Sequence, residues 1–197
     1  MLTGIPDNYI FYLASRSPRR QQLLREAGIN FELIERDFEE TYPLTLKGKE
    51  IAEYLARSKA SCFPIDKMPD NQVVITADTI VWCDGQVLDK PSDEKEAFRI
   101  LSAISGNSHD VITGICLVTS KGYHTFSETT RVTFCRLSDE EISYYINRYR
   151  PYDKAGAYGI QEWIGVIGNN RIEGSYFNVM GLPVQRLISE LRIILGN

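Results

Sequence analysis

The stretch that decides the fold is Gln72-Val73-Val74-Ile75-Thr76-Ala77-Asp78-Thr79-Ile80-Val81-Trp82-Cys83, followed by Asp84-Gly85. Its density of β-branched residues predicts a buried strand, and Asp-Gly is a hairpin-turn dipeptide. One residue breaks the pattern. Asp78 lies between two apolar triplets, where a carboxylate is costly unless it is paired or binds a cation. Thr79 follows it and would point to the opposite face of a regular strand; a strand end or bulge would bring both into one cleft. Asp78 is therefore either a functional carboxylate or half of a structural ion pair or turn.

Upstream, Tyr9–Ala14 reads as a second buried strand. Ser17-Pro18 then opens a helix, with Ser as N-cap and Pro at the first helical position, and Gly28 suits its end. Phe31–Arg36 is predicted as a strand. A helix near Glu50–Cys62 carries Ile51, Ala52, Leu55 and Ala56 on one face. Downstream, Ser92 is expected to cap a helix bearing Ala97, Ile100, Leu101 and Ile104. Val111–Thr119 and Thr125–Leu137 read as strands joined at Lys121-Gly122, and Ser138-x-x-Glu141 is a capping box. The loop Pro151–Gly156 leads to an expected strand around Tyr158–Ile167, with a turn at Asn169-Asn170. A last helix is predicted from about Pro183 to Leu195. This order predicts an α/β fold with a mixed sheet. No linker composition divides the chain, so residues 1–197 are expected to form one domain.

Composition narrows the function. The chain has 197 residues, a formal net charge of -4, two histidines and four cysteines. The acidic balance argues against nucleic acid as a partner. No stretch reaches the roughly 20 apolar residues that span a membrane, and no secretory signal opens the chain. Cys62, Cys83, Cys116 and Cys135 form no C-x-x-C pair and are expected to be small buried hydrophobes. A zinc site of His and Cys, or a His-based triad on His109 or His124, is therefore disfavoured. The chain also lacks G-x-x-x-x-G-K-[ST], G-x-G-x-x-G and H-E-x-x-H. Any hydrolytic chemistry falls to carboxylates, lysines and arginines.

Four further features suit such chemistry. In Ser15-Arg16-Ser17-Pro18-Arg19-Arg20, arginines in the first helical turn oppose the dipole. They make either a phosphate site or a solvated basic helix end. Lys59 falls on or beside the apolar face of its helix, where it reaches into a cleft or snorkels to water; Lys90-Pro91 is a second cation at the end of a structural unit. The acids of Glu32–Glu40 form a solvated loop by default, although Glu40 and Asp78 are candidate ligands of a divalent cation. Ala155-Gly156-Ala157-Tyr158-Gly159-Ile160-Gln161 is rich in small residues that allow close ligand approach. Gln161 offers a donor and an acceptor, as the imide or amide edge of a pyrimidine requires, or is simply structural.

Together these segments are far more specific than any one of them. Leu13–Arg20, Ala77-Asp78-Thr79-Ile80-Val81, Asp89-Lys90-Pro91, Ala155–Gln161 and Ile172–Pro183 resemble, in order, the signature of the Maf-like nucleoside triphosphate pyrophosphatases. The resemblance covers nearly the whole chain. It implies a Maf/ITPase-like fold: an elongated, twisted mixed sheet flanked by helices, with two lobes around a central cleft. It also implies cleavage of a nucleoside triphosphate to the monophosphate and pyrophosphate with a divalent metal cation (Mg or Mn), in the cytoplasm, with a homodimer left open. By the resemblance Asp78 is the proton acceptor, and Glu40 and Asp78 hold the metal. Ser15, Arg20, Lys59 and Lys90 bind phosphate. Arg19, Thr79 and Gln161 match the branch acting on dTTP and UTP. The sister branch that prefers 7-methyl-GTP resembles Ser-Pro-Trp at the first position, which Arg19 does not match. Two features depart from the family pattern: Arg16, where many relatives carry a small residue, and Glu162-Trp163, which replace small residues common there. The family is also associated with division arrest, so a nucleotide-binding regulator acting without catalysis is the alternative. Binding alone needs no base beside a metal.

Overall fold

The computed structural model describes residues 4–36, 38 and 40–196. Among these, seven strands form one sheet: β1 (Ile10–Leu13), β2 (Phe31–Leu33), β3 (Gln72–Cys83), β4 (Gln86–Leu88), β5 (Ser108–Thr119), β6 (Gly122–Phe134) and β7 (Asn169–Glu173). The order is β2-β1-β3-β5-β6-β7, with β4 paired to β3 off that path. The sheet is mixed, because β1 pairs in parallel with β2 and β3 whereas β3–β4 and β6–β7 are antiparallel. The helices are α1 (Pro18–Glu26), α2 (Lys49–Ala60), α3 (Glu94–Ile104), α4 (Asp139–Tyr149), α5 (Trp163–Gly168), α6 (Tyr176–Met180) and α7 (Val184–Leu195). None is long and apolar enough to cross a membrane.

The contacts divide into two compact units. The first contains residues up to Asp78, Thr113–Glu128 and the chain from Gly181 on; the second contains Thr79–Ile112 and Thr129–Met180. Each has its own apolar core. In the first unit, Ala56, Ala60 and Phe63 pack with Val74, Cys116 and Val118. In the second, Ile100, Leu101 and Ile104 of α3 pack with Val132 and Phe134 of β6 and with Ile142 and Ile146 of α4.

Several local expectations are met for the reasons given. Ser17 caps α1, and Gly28 follows it at φ +73°, a conformation that glycine adopts without penalty. Ser138 and Glu141 form the reciprocal capping box of α4. Asp84-Gly85 turns β3 into β4.

Other expectations fail. Helix α3 is capped by Asp93, whose carboxylate accepts the Glu96 N–H at 2.8 Å; Ser92 instead bonds the Glu96 side chain. The strand predicted at Phe31–Arg36 ends at Leu33. The strand predicted around Tyr158–Ile167 is instead a turn, closed by the Glu162 N–H on the Gly159 carbonyl, that leads into α5. Its apolar run reads as strand-like, but Ile164, Gly165 and Gly168 are buried while Val166 and Ile167 are exposed, which is a helical face. Gly165 packs against Ile160, whose carbonyl oxygen would lie 1.9 Å from any Cβ there. The Asn169-Asn170 turn is the start of β7, which pairs with β6 across a register shift at Thr133/Phe134. Helix α6 was not foreseen, although Ser175 caps it: the Ser175 hydroxyl accepts the Asn178 N–H at 3.3 Å. Of the four cysteines, all free thiols, Cys83 and Cys116 are buried as expected, but Cys62 and Cys135 are exposed.

Candidate active site

The site starts from the way α2 lies on β3. Ala52, Ala56 and Ala60 give the helix a face of small residues, all fully buried. Thr76 of β3 donates to the Ala56 carbonyl at 2.8 Å. Strand alternation places Asp78 on the same face as Thr76. Three residues further along the helix, Lys59 meets it. Both are buried, and the Lys59 ammonium donates to Asp78 Oδ1. The sequence left open whether Lys59 snorkels outward; it does not. Its Nζ also lies 3.5 Å from Glu40 Oε1 and 4.2 Å from the centre of the Phe38 ring. Burial pulls the ammonium below its ordinary pKa. Asp78 opposes that shift, and the Arg20 charge adds to it.

Arg20 reaches the same place from α1. Its Nη1 donates to the Ala77 carbonyl at 2.8 Å and to Ser15 Oγ at 3.3 Å, and its Nε donates to the Gly181 carbonyl at 2.8 Å. Burial lowers the guanidinium's pKa, with Asp78 acting in the opposite direction. The Ser15 hydroxyl also accepts the Ser17 N–H at 3.2 Å, so it braces the entry to the helix. Arg16 turns away to Glu35 at 3.3 Å; both side chains are about two-thirds exposed, so this pair contributes little.

Ser15, Arg20, Glu40, Lys59 and Asp78 are thus linked by contacts within the first unit. Arg19 belongs to α1 in the same unit and is half-buried. Thr79, Lys90 and Gln161 belong to the second unit. Thr79 is half-buried on β3, while Lys90 and Gln161 are exposed.

Among the described residues, no group of three or more His, Cys, Asp and Glu side chains could hold a metal ion. Glu40 and Asp78 nevertheless converge on one point, the Lys59 ammonium. Two hard carboxylates fit Mg or Mn, because such ions take one or two protein carboxylates and complete their shell with water and phosphate oxygens. Glu39, the other acid considered for this role, lies outside the described residues.

The sequence missed a second charged cluster. Lys154 is buried, with Nζ 3.3 Å from Glu162 Oε1, and Tyr145 donates its hydroxyl hydrogen to Glu162 Oε2. The only signal was Glu162 itself, the departure from the family pattern. Tyr145 sits among apolar helix positions and reads as core. His109 is also absorbed structurally: its Nε2 lies 2.8 Å from the Tyr158 hydroxyl, and burial lowers its pKa to about 4.

Comparison with known proteins adds independent findings. The family model described as Maf-like protein matches residues 10–194. A dTTP/UTP pyrophosphatase of Phocaeicola vulgatus is 55% identical over 187 residues, 94% of this chain and 96% of that protein. One from Bacteroides thetaiotaomicron is 47% identical over 192 residues, 97% and 99% of the two chains. One from Parabacteroides distasonis is 50% identical over 185 residues, 93% and 95%. Among solved structures, a HAM1 protein from Coxiella burnetii overlaps 66% of this chain and 74% of its own, at 15% identity and a TM-score of 0.44.

Proposed function

This chain belongs to the Maf-like protein family, and on that premise we propose that it hydrolyses dTTP and UTP to the nucleoside monophosphate and pyrophosphate. The observation that carries this reading is the buried Lys59–Asp78 pair, with Glu40 on the same ammonium and the Arg20 charge, bonded to the Ala77 carbonyl, beside Asp78.

Lys59 orients the Asp78 carboxylate through Oδ1. The carboxylate takes a proton from water, and the water oxygen attacks the α-phosphorus. The bond from that phosphorus to the bridging oxygen breaks, and pyrophosphate leaves with the electron pair. The chain needs no covalent nucleophile, because positioned cations stabilise the charge that develops on the phosphoryl oxygens. Ser15, Arg20, Lys59 and Lys90 are assigned to the triphosphate. A low-dielectric setting strengthens each of their buried contacts. A divalent cation, Mg or Mn, would be held by Glu40 and Asp78 and would supply further charge neutralisation when bound. Arg19, Thr79 and Gln161 are assigned to the base: the Gln161 amide presents a donor and an acceptor to the imide of thymine or uracil. Cytoplasmic location follows from the substrate, since nucleoside triphosphates are made and used there. Clearance of modified nucleotides is the accompanying role.

The test is pyrophosphate release from dTTP, UTP, GTP and 7-methyl-GTP, each with and without magnesium. Fast, magnesium-dependent turnover of dTTP and UTP is expected. Comparable rates on 7-methyl-GTP would refute the base assignment.

A further inference from the structure

The Lys154–Glu162–Tyr145 cluster has no part in the reaction above, yet its geometry is closely tied to Gln161. Residues Gly159 to Glu162 form a turn closed by the Glu162 N–H on the Gly159 carbonyl at 3.0 Å. Gln161 is its third residue and is exposed, while Ile160 beside it is buried. The Tyr145 hydroxyl, projecting from α4, accepts the Gly159 N–H at 3.0 Å and donates to the Glu162 carboxylate. One hydroxyl therefore holds both ends of the turn that displays Gln161. Lys154 holds the other carboxylate oxygen at 3.3 Å and reaches Asp153 at 2.8 Å. Gly159 leaves room for this arrangement: a Cβ there would lie 2.7 Å from Glu162 Cδ and 2.9 Å from Oε2.

The energetics favour a positional role. A buried ion pair is often matched or exceeded in stability by apolar side chains of similar volume. Such a pair does, however, fix geometry through directional, charge-assisted bonds. Glu162 is the N-terminal residue flanking α5, but its side chain makes no cap bond; it is committed to Tyr145 and Lys154 instead.

We propose that Tyr145, Glu162 and Lys154 are positioning residues for Gln161, holding the turn so that its amide meets the pyrimidine base. The proposal rests on the assignment of Gln161 to base recognition. Releasing the clamp moves Gln161 without touching the residues assigned to phosphate. The loss therefore falls on discrimination between bases and on KM, and kcat for the preferred substrate changes little.

The experiment measures kcat and KM for UTP and CTP in the wild type, Gln161→Ala, Tyr145→Phe, Glu162→Gln and the Gln161→Ala/Tyr145→Phe double variant. Tyr145→Phe is expected to lower the UTP:CTP ratio of kcat/KM about tenfold, mainly through KM for UTP. Glu162→Gln, which keeps an acceptor for the Tyr145 hydroxyl, should retain most of the ratio. In the Gln161→Ala background, Tyr145→Phe should have no further effect on the ratio. If Tyr145→Phe does not fold, Glu162→Ala reads the same quantity. An unchanged ratio in Tyr145→Phe, with a reduced one in Gln161→Ala, overturns the positioning role and leaves the base assignment standing. An equal loss on both substrates marks a purely structural role and also overturns it. An unchanged ratio in Gln161→Ala removes the base assignment and the proposal with it.

Discussion

Replacing Gly114 with alanine adds one methyl group to β5 where α2 crosses it. The residue has an ordinary backbone conformation, so the effect is steric. The new Cβ would lie 2.1 Å from the Ala52 carbonyl oxygen, 2.2 Å from its carbon and 2.6 Å from the Glu53 nitrogen. All three are backbone atoms, so no side chain can rotate away. Ordinary contact begins at 3.4 Å, and the helix must therefore retreat by about 1.3 Å, the difference between 3.4 and 2.1 Å. Overpacking of this kind costs about 1–3 kcal/mol. At about 2–4 °C per kcal/mol for a chain of this size, Tm falls by about 2–12 °C. The same displacement carries Lys59 away from Asp78 and lengthens the 2.8 Å bond from Thr76 to the Ala56 carbonyl. A misplacement of about 1 Å can cost about 100-fold in rate. The assays are thermal unfolding followed by circular dichroism and turnover of dTTP below the variant's Tm. A Gly114→Ala protein with Tm within 1 °C and kcat within twofold of wild type would refute the claim that helix-to-sheet contact at Gly114 sets the Lys59–Asp78 geometry.

Two further predictions follow from buried polar groups. Asp78→Asn keeps the shape of the side chain and its contact with Lys59; it is expected to fold, and to lose about 100- to 10,000-fold in kcat through loss of the base. A folded Asp78→Asn enzyme at wild-type rate would remove the general-base assignment. His109 gives a pH effect. Its folded pKa is about 4 against an ordinary 6.5, so between these values the unfolded chain binds a proton that the folded chain does not. Its contribution is present above pH 6.5 and is lost as the pH falls towards 4, a total of about 3 kcal/mol. Denaturant unfolding of wild type and His109→Gln across that range measures the difference. A wild-type stability that runs parallel to the variant's from pH 7 to pH 4 would show that His109 does not titrate as its burial requires.

The candidate site was legible in so far as its residues violate local rules. Asp78 in an apolar strand and arginines at a helix N-terminus are locally unfavourable, and such residues stand out from chemistry alone. Lys59 was a candidate whose direction the residues alone left open, because a lysine beside an apolar helix face most often snorkels. Its inward course depends on Asp78 and Glu40, each 19 residues away in sequence. The Tyr145–Glu162 clamp was invisible for the same reason, since Tyr145 is an ordinary member of an apolar helix face.

By itself, the sequence determined the parts of this protein that depend on neighbours in the chain. These include β3 as a buried strand ended by Asp84-Gly85, the caps of α1 and α4, and the motif order that resembles the Maf-like family. Period, turn chemistry and capping act within a few residues, so no tertiary partner is needed to state them. Tertiary structure decided what depends on distant groups. It made Trp163–Gly168 a helix, because Gly165 packs against Ile160, and it recruited Asn169–Glu173 to β6 as a strand in place of a turn. It also turned Lys59 onto Asp78, since a buried carboxylate is stable only with a cation beside it, and only the packing of α2 on the sheet brings that cation within reach.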